Sequence, residues 1–283
     1  MILKDKTIIV TGGSLGIGLA ISKKCAQEGA TVIIAARNKT DLANALTELK
    51  QISDKPHTSY SLNIGNYEEV VKFADWCKSQ NLEINGLVNC AGVYGPIGKT
   101  TEVDMEKFTE AIQINFLGTV YMCNVFAPVL KSATKKKIVN YSGGGAATPF
   151  ANYSAYATSK VAIVRFTENL SIELADENFD INCIAPGFVI TRLHEQTIQE
   201  GAGKAGKAFF EGTQKQMESG GVPPEKAADL TAFLLSDESD GITGKFISAP
   251  WDAWTEKDFQ DLLKSDKDFA TLRRIDNKGF YKK

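Results

Sequence analysis

Short β-branched runs alternate along this chain with longer stretches whose apolar residues recur every three or four positions. The first run, TIIVT over residues 7–11, is followed by a helical pattern to Glu28, and the second, TVIIAA over 31–36, by TDLANALTELK. The rhythm continues with a run over 58–64, a helix around 68–79, INGLVNC over 84–90, a long helical pattern near 105–131 and KIVNYS over 137–142. A helix over about 154–177, DINCIA over 180–185, a helix over 224–235 and GKFISA over 244–249 complete it. Apolar runs separated by segments of helical period read as strands joined by crossover helices. The pattern predicts an α/β fold, a Rossmann-type doubly wound sheet of about seven parallel strands with helices on both faces and right-handed crossovers.

Two stretches break the rhythm. Residues 191–222 carry six of the 24 glycines, balanced charges and the pair Phe209 and Phe210. They read as a mobile lid with an apolar patch or, alternatively, as a long surface connection. The last 33 residues hold Trp251, Trp254, Phe259, Phe269, Phe280 and Tyr281, an aromatic content that argues against disorder.

Composition narrows the function by exclusion. With 32 Lys and Arg against 34 Asp and Glu, the net charge of -2 supplies no basic field for nucleic acid or an anionic membrane surface. No run of about 18 apolar residues is seen, and the N-terminus enters a β-branched stretch rather than a signal-peptide core, so no membrane span and a cytoplasmic location are expected. Cys25, Cys77, Cys90, Cys123 and Cys183 are scattered singly, which predicts reduced thiols without a disulfide framework or zinc site. His57 and His194 are the only histidines, so no metal centre or histidine base is expected.

The residues that remain carry specific chemistry. Gly12, Ser14, Leu15, Gly16, Ile17 and Gly18 lie where the first strand turns into the first helix. Glycines there let the backbone approach a pyrophosphate, whose charge meets the free amides of the helix start. Tyr156 and Lys160 stand four apart and share a helix face. A tyrosine is a poor acid or base near neutrality, and an adjacent ammonium favours its phenolate. Tyr153 has no lysine at that spacing.

These motifs, in this order, resemble the short-chain dehydrogenase/reductase family over roughly residues 4–248. Asn89, Cys90, Ala91 and Gly92 are similar to that family's NNAG, with Cys90 for the second asparagine. Asn115 falls at its helix asparagine, and Pro186, Gly187, Val189 and Thr191 resemble its PGxVxT. The resemblance implies a dinucleotide-binding catalytic domain over 1–250, with 191–222 as substrate lid and 251–283 as an extension packed on the domain or a neighbouring subunit. It implies hydride transfer between a carbonyl and a secondary alcohol of a small molecule. Tyr156 would be the general acid/base, Lys160 would lower its pKa and hold the ribose, Ser142 would bind the substrate oxygen and Asn115 would position a water. Val189 and Thr191 would orient the nicotinamide. A homodimer or homotetramer is implied as well.

One departure concerns the serine: the family often has two in a row, the second catalytic, and here Gly143 stands second. Ser142 either takes the role or leaves a weakened site, and a cofactor-binding scaffold with lost catalysis is the alternative function. For the cofactor, Ala36, Arg37 and Asn38 place no carboxylate at the end of the second strand, where an acid would hold the ribose of NAD(H) and repel a 2'-phosphate. Arg37 can bind that phosphate, so NADP(H) is expected in preference to NAD(H). Asn63, followed by Ile64, would accept the adenine amino group.

Overall fold

A computed structural model describes residues 1–132 and 134–274; Phe280 and Tyr281 lie outside the described residues. β1 (Thr7–Thr11), β2 (Thr31–Ala36), β3 (Thr58–Ser61), β4 (Gly86–Asn89), β5 (Lys136–Tyr141), β6 (Phe179–Ala185) and β7 (Phe246–Ser248) form one sheet. Its order is β3-β2-β1-β4-β5-β6-β7, with every neighbouring pair parallel. The chain reverses direction across the sheet between β1 and β4, and a crevice opens beyond the carboxyl ends of those strands.

Alternation along each strand builds two cores. Ile8, Val10, Val32, Ile34, Val88, Val139 and Ile184 face one side, where α1 (Gly16–Gln27), α2 (Lys39–Ile52) and α9 (Pro224–Leu235) cover them. Ile9, Ile33, Leu87, Ile138 and Ile181 face the other, beneath α3 (Tyr67–Ser79), α5 (Gly118–Phe126) and α6 (Ser154–Glu173). Burial on both faces explains why these strands read as continuous apolar runs.

The helix expected over 105–131 is α4 (Met105–Ile112), a π-helical turn at Gln113–Leu117 and α5, ending at Phe126. By length and composition Met105–Val129 could cross a membrane, which differs from the sequence reading. Its Ile114, Met122, Cys123 and Phe126 are instead packed against the sheet. Residues 191–222 are not an irregular connection but mostly two helices, α7 (Arg192–Ala205) and α8 (Lys207–Glu218), broken where Gly201 and Gly206 take positive φ.

The tail continues through α10 (Lys257–Ser265). Trp254 packs on Phe233 with ring centroids 5.7 Å apart. Lys245, buried at the start of β7, donates to the carbonyls of Asp266 and Phe269 at 2.6 and 3.0 Å. Phe246 N donates to Ala270 O at 2.7 Å and Leu272 N to Glu168 at 2.7 Å. The described part of the tail, to residue 274, therefore packs on α9, β7 and α6.

Candidate active site

The crevice is lined first by the turn after β1. Gly12 and Gly16 have positive φ, and a Cβ at Gly18 would overlap the Gly12 carbonyl, which only glycine avoids. Leu15 is exposed at the start of α1, with no side-chain cap and no acid in the first turn. The first amides of α1 are left for an anion, so this cradle fits a dinucleotide pyrophosphate. Ser14 is buried beside it. Thr11 Oγ1 accepts from Cys90 N and Ala91 N at 3.1 and 3.3 Å, locking the loop after β4 to β1.

At the end of β2, Arg37 is exposed and its guanidinium has no hydrogen-bond or ion-pair partner among the described residues. Asn38 next to it is committed as the cap of α2, accepting from Thr40 N and Asp41 N. Asn63 Oδ1 accepts from Gly65 N at 3.1 Å, and Ile64 is buried. Asn89 is turned to the α5 side, where its amide donates to Asn140 at 2.9 Å, so its side chain supports the sheet rather than lining the crevice.

The second cluster stands on α6 and the π-helical turn. Asn115 accepts from Val93 N at 2.8 Å and donates to Val93 O at 2.8 Å and to Ser159 Oγ at 2.9 Å. Such turns often sit at functional sites. A Cβ at Gly92 would lie 3.3 Å from both Asn115 Oδ1 and Lys160 Nζ, so this glycine lets the two approach. Lys160 Nζ donates to Tyr141 O at 2.9 Å and lies 5.5 Å from the centre of the Tyr156 ring.

One expectation needs correction. Ser142 is 3% exposed and donates to the Lys160 carbonyl at 3.1 Å; the backbone facing the Tyr156 hydroxyl is that of Gly143, whose added Cβ would overlap it. Adjacent strand-end residues point opposite ways, and the serine is on the wrong one. Burial, with the Cys90 thiol adding to it, raises the pKa of the Tyr156 hydroxyl in this structure, and burial lowers that of Lys160, whose ammonium lies over the ring.

Above Tyr156 stands an aromatic wall of which the sequence showed only Phe209 and Phe210. Tyr94 meets Tyr156 and Tyr153 edge-on at 4.8 and 5.1 Å, Phe150 stacks on Tyr153 at 4.3 Å, and Phe209 from α8 closes on Phe150 at 4.7 Å. Phe188 lies 4.0 Å from the ring of His194, whose pKa burial lowers to about 4, leaving a neutral imidazole. Pro186 and Val189 are buried under the lid, Gly187 has positive φ against Pro250, and Thr191 Cγ2 lies 3.3 Å from a Cβ built at Gly16. That last approach joins the lid to the glycine turn.

A family model described as short chain dehydrogenase matches residues 6–201. A dehydrogenase/reductase SDR family member 4 of Caenorhabditis elegans is 30% identical over 253 residues, covering 86% of this chain and 93% of that one. Its namesake in Sus scrofa is 28% identical over 245 residues, covering 87% and 86%. A short chain dehydrogenase of Salmonella enterica superposes with a TM-score of 0.77 at 26% identity, over 88% of this chain and 97% of that one. The chain belongs to the short-chain dehydrogenase/reductase family of NAD(P)-dependent oxidoreductases.

Proposed function

We propose that this protein is an NADP(H)-dependent oxidoreductase that interconverts a carbonyl and a secondary alcohol of a small apolar molecule. The observation that carries the reading is the placement of Tyr156 and Lys160 on one face of α6, beside Gly92 and across the crevice from the glycine turn. When bound, the nicotinamide supplies or accepts the hydride. Tyr156 gives its proton to the substrate oxygen in reduction and recovers one in oxidation. Lys160, 4% exposed, is placed to hold the ribose and stabilise the phenolate when it forms. Thr191 and Val189 orient the carboxamide. Arg37, exposed and without a partner among the described residues, supports a 2'-phosphate. A homodimer or homotetramer in the cytoplasm is part of this reading.

The test is a paired titration with NADPH and NADH, followed by energy transfer from the tryptophans, on wild type and Arg37→Ala. NADPH is expected to bind about tenfold tighter, a preference lost in the variant. Equal affinities in wild type overturn the cofactor assignment alone. A second reading, a cofactor sensor of the same fold, is favoured by Gly143 at the position facing Tyr156; tight NADPH binding with no turnover of any carbonyl would select it.

A further inference from the structure

The oxygen of a carbonyl being reduced gains negative charge before it is protonated, and such sites aim fixed donors at that charge. Here the position facing the Tyr156 hydroxyl, Gly143, has no side chain. The hydroxyl of Ser142 is occupied by the Lys160 carbonyl. Two nearby hydroxyls are spent as well. Tyr153 pairs with Thr197 Oγ1 at 2.9 Å, and Thr191 Oγ1 lies 3.4 Å from His194 Nδ1.

Tyr94 is different. It lies two residues past Gly92 in the loop after β4, is 4% exposed, and stands at 88° to the Tyr156 ring with centroids 4.8 Å apart. Among the described residues nothing hydrogen-bonds its hydroxyl. That hydroxyl is not one of the sealed polar atoms without a partner, so it is an unpaired donor still open to solvent, on a ring packed against that of Tyr156. Burial and the nearby Tyr156 and Tyr153 hydroxyls push its pKa up, so it keeps its proton.

We infer that Tyr94 is a catalytic residue, donating a second hydrogen bond to the substrate oxygen in place of the serine hydroxyl that Gly143 lacks. This rests on the carbonyl/alcohol reading above. In reduction, two electrons reach the carbonyl carbon as a hydride from the reduced nicotinamide, the C=O π bond opens, and the oxygen takes the Tyr156 proton. Tyr94 transfers nothing. Its O–H points at the oxygen throughout and stabilises the charge that builds there. The substrate class is a neutral ketone or aldehyde, because the wall around both phenols is aromatic and its histidine is neutral.

The experiment compares wild type, Tyr94→Phe, Ser142→Ala and Tyr156→Phe as full-length proteins with NADPH and a panel of neutral aliphatic and aryl ketones. Tyr94→Phe keeps the ring and removes a hydroxyl that has no partner in the protein, so its fold is expected to survive; its melting temperature checks this. Its kcat is expected to fall about 100-fold, with NADPH affinity unchanged, and Tyr156→Phe marks the floor. A Tyr94→Phe kcat within about twofold of wild type, or a larger loss in Ser142→Ala, overturns the role of Tyr94 while leaving the oxidoreductase reading intact. A wild type that binds NADPH and reduces no ketone overturns both.

Discussion

A Cβ added at Gly18 would overlap the Gly12 carbonyl, and one at Gly12 or Gly13 would come within 2.9 Å of Ala91 or of Ile34 and Ser22. A Cβ added at Gly201, Gly203, Gly212 or Gly220 in the lid would meet nothing within 4 Å. The nucleotide side of the crevice thus uses glycine because atoms are in the way: β1, α1 and the loop after β4 approach so closely that any side chain would separate them. The lid spends glycine inside two helices where there is room for more. Its helices are weakened by composition and held by Tyr153, Phe150 and Phe209 instead. Close backbone packing is therefore concentrated where the pyrophosphate must be met, and the proposed substrate lid is held by its side chains.

The sharpest way to break this comparison is Gly18→Ala. The methyl must force α1 away from the Gly12 carbonyl, and overpacking of this kind costs about 1–3 kcal/mol. Because the displaced atoms are those of the cradle, dinucleotide binding is expected to be lost along with a drop in melting temperature. Retained NADPH binding in a folded Gly18→Ala protein would show that the turn is not space-limited.

Protonation reaches the lid and not the glycine turn. At the amino-terminal edge of the sheet, away from the crevice, His57 Nδ1 accepts from Val32 N at 3.1 Å, and burial lowers its pKa, with Lys50 adding to the effect. In the lid, burial lowers His194 from 6.5 to about 4. Folded pKa values below the unfolded ones mean that the unfolded chain takes up protons first, so this stability is complete above pH 6.5 and is lost as pH falls through about 4. For His194 the shift is worth at most about 3 kcal/mol. The melting temperature of wild type is expected to fall between pH 7 and pH 4.5, and that of His194→Gln to fall less. Equal slopes would mean that the lid histidine is not held neutral.

Much of this organisation was legible in the sequence, for physical reasons. β1, β2 and α9 run where the apolar periods put them, because strands buried on both faces and a helix entered through proline leave unambiguous patterns. Tyr156 and Lys160 share a face because the helix period requires it. Orientation at a strand end was harder. Ser142 and Gly143 differ by one position, and which of them faces the crevice depends on where β5 stops, whereas the turning of Asn89 towards Asn140 follows from the register of β4 against β5. The helices of the lid were hidden by their glycines. Tyr94 belongs to no periodic pattern, being a single aromatic in a loop, and its meaning emerges only when α6 brings Tyr156 against it.

The smallest effect is also the one that separates space from backbone conformation. Gly203 and Gly201 lie in the same helix, both with open surroundings, but Gly201 has φ of 77° whereas Gly203 is not in the left-handed region. Gly203→Ala is expected to raise stability by about 1 kcal/mol, since alanine is the better helix former. At this chain length that is a rise of roughly 2–4 °C in melting temperature. Gly201→Ala is expected to lower it, because the new Cβ meets strained backbone rather than a neighbour. If both variants stabilise, the break at Gly201 is not a feature of the folded lid. If Gly203→Ala gains stability and slows turnover together, the looseness of α7 has a use: the aromatic wall must open for substrate, and the glycines that cost the helix stability are what let it.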